Sequence, residues 1–121
     1  LEHPFDISRL VEAAGAVFVA RSTVYHARAL EKLIATALEK KGFSVVEAIS
    51  PCVTHFGKFT GLRSPVEMME WQRDNAVPVE KAKDMKRNEL EGKVVTGILV
   101  DIDKPTYHEE HARIHSEVEQ A

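Results

Sequence analysis

The sequence predicts an α/β fold, a short parallel sheet with flanking helices. Three observations carry this reading. Residues 16–20, Ala16-Val17-Phe18-Val19-Ala20, form a short apolar run with the length and β-branched content of a buried strand. Between His26 and Lys41, apolar residues recur at spacings of three and four, the mark of an amphipathic helix. A second apolar run follows at 43–49. Strand, helix and strand in this order make a βαβ unit, which calls for parallel strands and a right-handed crossover.

The elements follow in order. Asp6 is an N-cap for a helix over 7–14, with Ile7, Leu10, Val11 and Ala14 on one stripe and Gly15 as its stop. The first strand is expected to end where Arg21-Ser22-Thr23 interrupts the apolar run. In the second helix the stripe is Ala27, Leu30, Leu33, Ile34, Ala37 and Leu38. Lys40 and Lys41 suit the negative end of its dipole, and Gly42 ends it. The strand at 43–49 is apolar on both faces, as for a strand covered on both sides. Periodicity disappears from 50 to 63, where Pro51, Gly57 and Gly61 punctuate a long loop. Ser64-Pro65 opens a helix through Val66, Met69 and Trp71 to about Asn75. Pro78 opens another short helix over 79–90, and 94–102 reads as a third strand with Gly97 as its weak point. Pro105 ends that strand, and Thr106 caps a polar helical tail to about Glu119. The division expected is a domain over 1–105 and a tail over 106–121. No internal repeat or low-complexity segment interrupts it.

Composition excludes several classes. The 121 residues are 44% hydrophobic and 29% charged, which fits one compact domain and is too apolar for a disordered chain. The uncharged stretch over 13–20 is far shorter than the ~20 apolar residues of a membrane span, so no membrane is expected. A formal net charge of -3 lacks the basic surplus of a dedicated nucleic-acid binder. Cys52 is the one cysteine, so no intrachain disulfide is possible and a reducing, cytoplasmic compartment is expected. The chain begins at Leu1 without a signal-like segment, and reads as a processed product or a piece of a longer protein.

The stretch Ser50-Pro51-Cys52-Val53-Thr54-His55-Phe56-Gly57 is the most informative for chemistry. It lies just past the carboxyl end of the second strand, where ligands gather in open α/β sheets. A loop thiolate there suits a metal ligand or a nucleophile, and an inert thiol is the plain alternative. No second cysteine completes a CxxC pair. His108, His111 and His115 share one helical face with Glu109 and Glu110 nearby. A solvated terminal helix is the expected reading there, and a zinc site the alternative. Met68-Met69 and Trp71 read as core or interface packing.

Taken together, residues 15–21, 30–41 and the run from Lys41-Gly42-Phe43 to Ser50-Pro51-Cys52-Val53-Thr54 resemble the beta subunit of 2-oxoacid:ferredoxin oxidoreductases, with the 2-oxoglutarate type nearest. Trp71-Gln72-Arg73-Asp74-Asn75-Ala76-Val77-Pro78-Val79-Glu80-Lys81-Ala82 resembles a later segment of that family, and 92–107 does so more loosely. The resemblance implies the C-terminal part of a thiamine-diphosphate-binding domain, and favours a piece of a longer chain. It also implies thiamine diphosphate, magnesium and a [4Fe-4S] cluster in the intact subunit. An alpha subunit, ferredoxin, coenzyme A and a 2-oxoacid are the implied partners. The implied reaction is oxidative decarboxylation of the 2-oxoacid to an acyl-CoA. The family's Cys-Pro-x-Cys-Gly motif and its Gly-Asp-Gly…Asn motif for magnesium and diphosphate do not occur in these residues.

Cys52 matches a cluster ligand of the family. Four thiolates normally hold such a cluster, so Cys52 would be one of four. Thr54 and His55 are candidates for contacts to the cluster or cofactor around it. Arg21, expected at the end of the first strand and on the same edge as Cys52, is a candidate for the cofactor or a subunit contact, with a solvated arginine the alternative. After Cys52 the loop Val53-Thr54-His55-Phe56-Gly57 departs from the family's usual sequence, which leaves substrate preference open. The competing class is a non-catalytic subunit-interaction module in which Cys52 is a buried structural thiol.

Overall fold

The computed structural model describes residues 5–62 and 64–119 of the chain. Helix α1 (Ile7–Ala13) starts where Asp6 caps it: the Asp6 Oδ1 accepts from the Arg9 N–H at 3.3 Å. Gly15, at φ 95°, then turns the chain into the sheet. Strand β1 (Phe18–Thr23) is the centre of the core, and every residue from Ala16 to Ala20 is buried. The strand does not break at Arg21. It runs on through Ser22 and Thr23, which are buried, because the Arg21 charge is paired with Glu47 across the ladder at 2.7 Å. A paired guanidinium is compatible with a strand interior, and Thr23 is β-branched.

A single 3-10 turn, Val24–His26, leads into α2 (Ala27–Glu39), with Thr23 Oγ1 and His26 Nδ1 2.8 Å apart at the junction. The chain then reverses at Gly42, at φ 107°. A Cβ there would lie 3.0 Å from Val17 Cγ2 as well as being strained, so this turn requires glycine. Strand β2 (Ser44–Ile49) pairs parallel with β1 from Phe18↔Ser44 to Thr23↔Ile49, as the βαβ pattern predicts.

Beyond β2 come α3 (His55–Thr60), α4 (Pro65–Asn75), β3 (Ala76–Pro78), the one-turn helix α5 (Val79–Ala82), β4 (Val94–Asp101) and α6 (Tyr107–Glu119). The strand order is β2-β1-β4-β3. The β1–β2 and β3–β4 junctions are parallel, and β4 joins β1 antiparallel, so the sheet is mostly parallel but mixed. The reason lies in the connection: the segment between β2 and β4 is not a single crossover helix, so nothing forces β4 into the direction of β1. Two caps behave as the sequence predicts. Ser64 Oγ accepts from the Glu67 N–H at 3.1 Å while Glu67 Oε2 accepts from the Ser64 N–H at 3.0 Å. Thr106 and Glu109 form the same reciprocal box on α6, with Glu109 Oε2 accepting from the Thr106 N–H at 2.7 Å.

Three local expectations change. The loop at 50–63 contains α3, ended by Gly61 at φ 78°. The helix expected over 79–90 closes after Ala82 into turns, such as Glu89 N–H to the Lys86 carbonyl at 2.9 Å. Strand β2 is an edge strand and half-buried rather than covered on both sides. The apolar stripes of α1 and α2 are also only partly covered: Ile7, Leu10 and Ile34 are exposed, and Leu38 is 82% exposed. Among the described residues no helix is long and apolar enough to cross a membrane.

Candidate functional site

The parallel strands β1 and β2 end side by side, and the chain leaves the carboxyl end of β2 through Ser50 and Pro51 to Cys52. Helix α4 runs past this end of the sheet and packs on the turn at 24–26. It grips the Cys52 loop with three residues. Met68 is buried and sits so close over Gly57 that a Cβ there would be 2.5 Å from its Cε and 2.8 Å from the Leu62 carbonyl oxygen. Trp71 meets Phe56 edge-on, with ring centroids 5.2 Å apart. Gln72 donates from Nε2 to the Ile49 carbonyl at 2.9 Å. A cavity of about 120 Å³ lies between these groups, lined by Ile49, Ser50, Pro51, Phe56, Trp71 and Gln72.

Cys52 is exposed and its thiol is free. The backbone N–H groups of His55 and then Thr54, pointed at the sulfur, lower the thiol pKa; burial opposes them, and the Phe56 N–H adds a lesser contribution in their direction. N–H dipoles pointed at sulfur favour the charged form. The Phe56 N–H to Cys52 carbonyl bond, at 2.9 Å, closes the turn that aims them. The result is an accessible cysteine biased toward thiolate, the form that ligates metal or attacks an electrophile.

Thr54 and His55 therefore reach Cys52 through their backbone. Their side chains are exposed, and the Thr54 hydroxyl does not cap α3. Arg21 is not at this edge. The strand extends two residues beyond it, and its guanidinium faces α1, bonding Glu47 at 2.7 Å, Asp6 at 3.0 Å and Ser8 at 3.1 Å. Ser8 Oγ donates to the same Glu47 carboxylate at 2.8 Å. The expectation that Arg21 ends its strand beside Cys52 is corrected: the residue belongs to a partly buried ion-pair cluster that holds α1 on the sheet.

On α6, His111 and His115 have ring centroids 5.5 Å apart, and His115 Nδ1 lies 3.8 Å from Glu119 Oε1. Both side chains of that pair are exposed. Among the described residues, no group of three or more potential ligands comes together to hold a metal ion. Met68 and Trp71 pack as expected. Gln72, two residues before Asp74, is the residue that sequence reasoning missed. The signal was present: it sits one helical turn after Met68, so a polar amide falls on the buried face of α4.

No family model matches the chain. The chain is 40% identical over 110 residues to the 2-oxoglutarate synthase subunit KorB of Methanocaldococcus jannaschii, covering 91% of this chain and 41% of that protein. It is 46% identical over 105 residues to the subunit of the same name from Methanothermobacter marburgensis, covering 87% of this chain and 37% of the relative. Among solved structures, the 2-oxoglutarate:ferredoxin oxidoreductase from Magnetococcus marinus, with 2-oxoglutarate, coenzyme A and succinyl-CoA bound, superposes with a TM-score of 0.68. That match covers 97% of this chain and 40% of the other at 23% identity, a likeness of fold. The chain thus spans about two-fifths of the length of the curated relatives it matches. The likeness to 2-oxoglutarate-type oxidoreductase subunits that the sequence suggested is borne out.

Proposed function

We propose that this chain is the C-terminal portion of the beta subunit of a 2-oxoacid:ferredoxin oxidoreductase, and that Cys52 is its contribution to electron transfer, as one thiolate ligand of a [4Fe-4S] cluster. The observation that carries the reading is the exposed, thiolate-biased Cys52 on the loop after β2, in a chain 40% identical to a 2-oxoglutarate synthase subunit. The donor set fits one corner of a cluster: four thiolates are the norm, and this sequence holds one cysteine. The other three belong to the rest of the subunit on this reading.

When bound, such a cluster supplies single-electron transfer. The chain's own residues do two things toward it. Cys52 would hold iron through its sulfur. The N–H groups of His55, Thr54 and Phe56 would favour the charged sulfur that such ligation needs. Thr54 and His55 are assigned to this backbone role, and Arg21 to support of α1 rather than to a cofactor. The Gly-Asp-Gly…Asn motif that the resemblance implies for magnesium and diphosphate does not occur in this sequence, so no residue here is assigned a step in the decarboxylation.

The reading extends to the parent enzyme: a cytoplasmic complex with an alpha subunit that oxidatively decarboxylates 2-oxoglutarate or a similar 2-oxoacid with coenzyme A and reduces ferredoxin. Within it, residues 1–105 are the domain portion and 106–121 a polar helical tail. The rival reading is an interaction module built around a structural Cys52, and the iron content of the full-length subunit separates the two.

The test is Cys52→Ala in the full-length subunit. Loss of one thiolate should lower iron per subunit, change the electron paramagnetic resonance of the reduced protein and abolish 2-oxoacid-dependent ferredoxin reduction. The fold should persist, because truncating an exposed loop side chain costs only about 1 kcal/mol. Full iron, an unchanged signal and normal turnover in the variant would refute the assignment.

A further inference from the structure

We propose that Gln72 is a positioning residue for Cys52: its side-chain amide ties the end of β2 to the end of β1 and so fixes the root of the loop that presents the thiol. This rests on the reading of Cys52 as a cluster ligand. Gln72 is 1% exposed. An amide so deeply buried is costly unless both its ends are bonded. Its Nε2 donates to the Ile49 carbonyl at 2.9 Å, and its Oε1 accepts from the Tyr25 N–H at 3.1 Å. Ile49 is the last residue of β2, paired with Thr23, and Tyr25 lies in the turn that leaves β1. One side chain thereby bridges both strands where their ladder ends.

Only Ser50 and Pro51 separate the Ile49 carbonyl from Cys52. Proline fixes its own φ and restricts the residue before it, so this spacer is stiff. Holding the Ile49 carbonyl therefore holds Cys52. On the far side of the thiol, the neighbouring Trp71 holds Phe56. The N–H groups on the sulfur come from 54–56, inside the loop's own turn. Thiolate bias is thus local to the turn, whereas the place of the thiolate is set by Gln72. A ligand shared with three others must be held in place by its supporting groups.

The two roles separate by experiment in the full-length, cluster-bearing subunit. Gln72→Met keeps the length of the side chain and loses both hydrogen bonds. Gln72→Glu, when neutral, keeps the acceptor for Tyr25 and donates its O–H to Ile49; ionised, it loses that donor. Readouts are the rate of cluster bleaching in air, amide exchange at Tyr25 and 52–56, and the pH midpoint of Cys52 alkylation in the iron-free protein. Gln72→Met should bleach about thirtyfold faster and exchange faster at Tyr25, the scale of two net hydrogen bonds. Its alkylation midpoint should stay at the wild-type value. Gln72→Glu should match wild type at low pH and approach the methionine variant as its carboxyl ionises, each compared with wild type at the same pH; this arm decides the matter if the methionine variant does not fold. Cluster loss in Cys52→Ala beside wild-type bleaching in Gln72→Met would overturn the positioning role alone. Full iron in Cys52→Ala would instead overturn the ligand reading, and this proposal with it.

Discussion

A sulfur surrounded by N–H dipoles holds its negative charge at a lower pH than a free thiol. At Cys52 those dipoles come from His55, Thr54 and Phe56, three consecutive residues of one tight turn. The turn depends in its own right on a residue with no side chain. At Gly57 a Cβ would meet the Leu62 carbonyl at 2.8 Å, and backbone cannot swing away as the tip of Met68 can. Gly57→Ala should therefore destabilise the fold by about 1–3 kcal/mol, in the range of overpacked sites. A thermal melt of the variant beside wild type checks this, and an unchanged midpoint would show that the loop has slack. The place of Cys52 was legible in the sequence, because a lone cysteine just past a strand end is conspicuous. The backbone contacts of Thr54 and His55 with its sulfur were not. A sequence displays side chains, and these two act through backbone groups whose direction is set only when the turn forms.

The same contrast holds for the elements. Helices α1, α4 and α6 were legible because capping residues are local signals: Asp6, Ser64 and Thr106 each act within a few residues. Helix α2 was legible from its apolar stripe, but it ends at Glu39, before Lys40, Lys41 and Gly42, so Gly42 turns the chain toward β2 rather than stopping the helix. Strand β3 was not, since three residues directly after a helix, the last of them Pro78, leave no periodicity to detect. Nor was the end of β1. Arg21 looks like a strand breaker until its partner, Glu47, is placed opposite it by the β1–β2 register. That pairing is long-range and belongs to the fold. It carries a prediction at this scale. Arg21→Ala would leave the partly buried Glu47 carboxylate and Asp6 without their guanidinium, and should cost about 2–3 kcal/mol. Denaturant melts measure this. Iron content in the full-length subunit should not change, and a specific loss of iron without loss of stability would return Arg21 to the cofactor.

At the scale of the molecule, the core is small. Among the described residues the buried apolar ones are those from Ala16 to Ala20 together with Met68, while Leu10, Ile34 and Leu38 present apolar surface outward. The expected burial of both helix stripes assumed that this chain alone covers them. A chain spanning about two-fifths of its relatives need not do so. In the proposed reading, the one cysteine of this segment ligates iron in the whole subunit. Differential alkylation reads this directly: the full-length subunit is labelled with iodoacetamide when iron-loaded and again after the iron is stripped, and Cys52 is quantified by mass spectrometry. Cys52 should be protected in the loaded protein and react readily in the stripped one. Equal labelling of Cys52 in both states would contradict that reading.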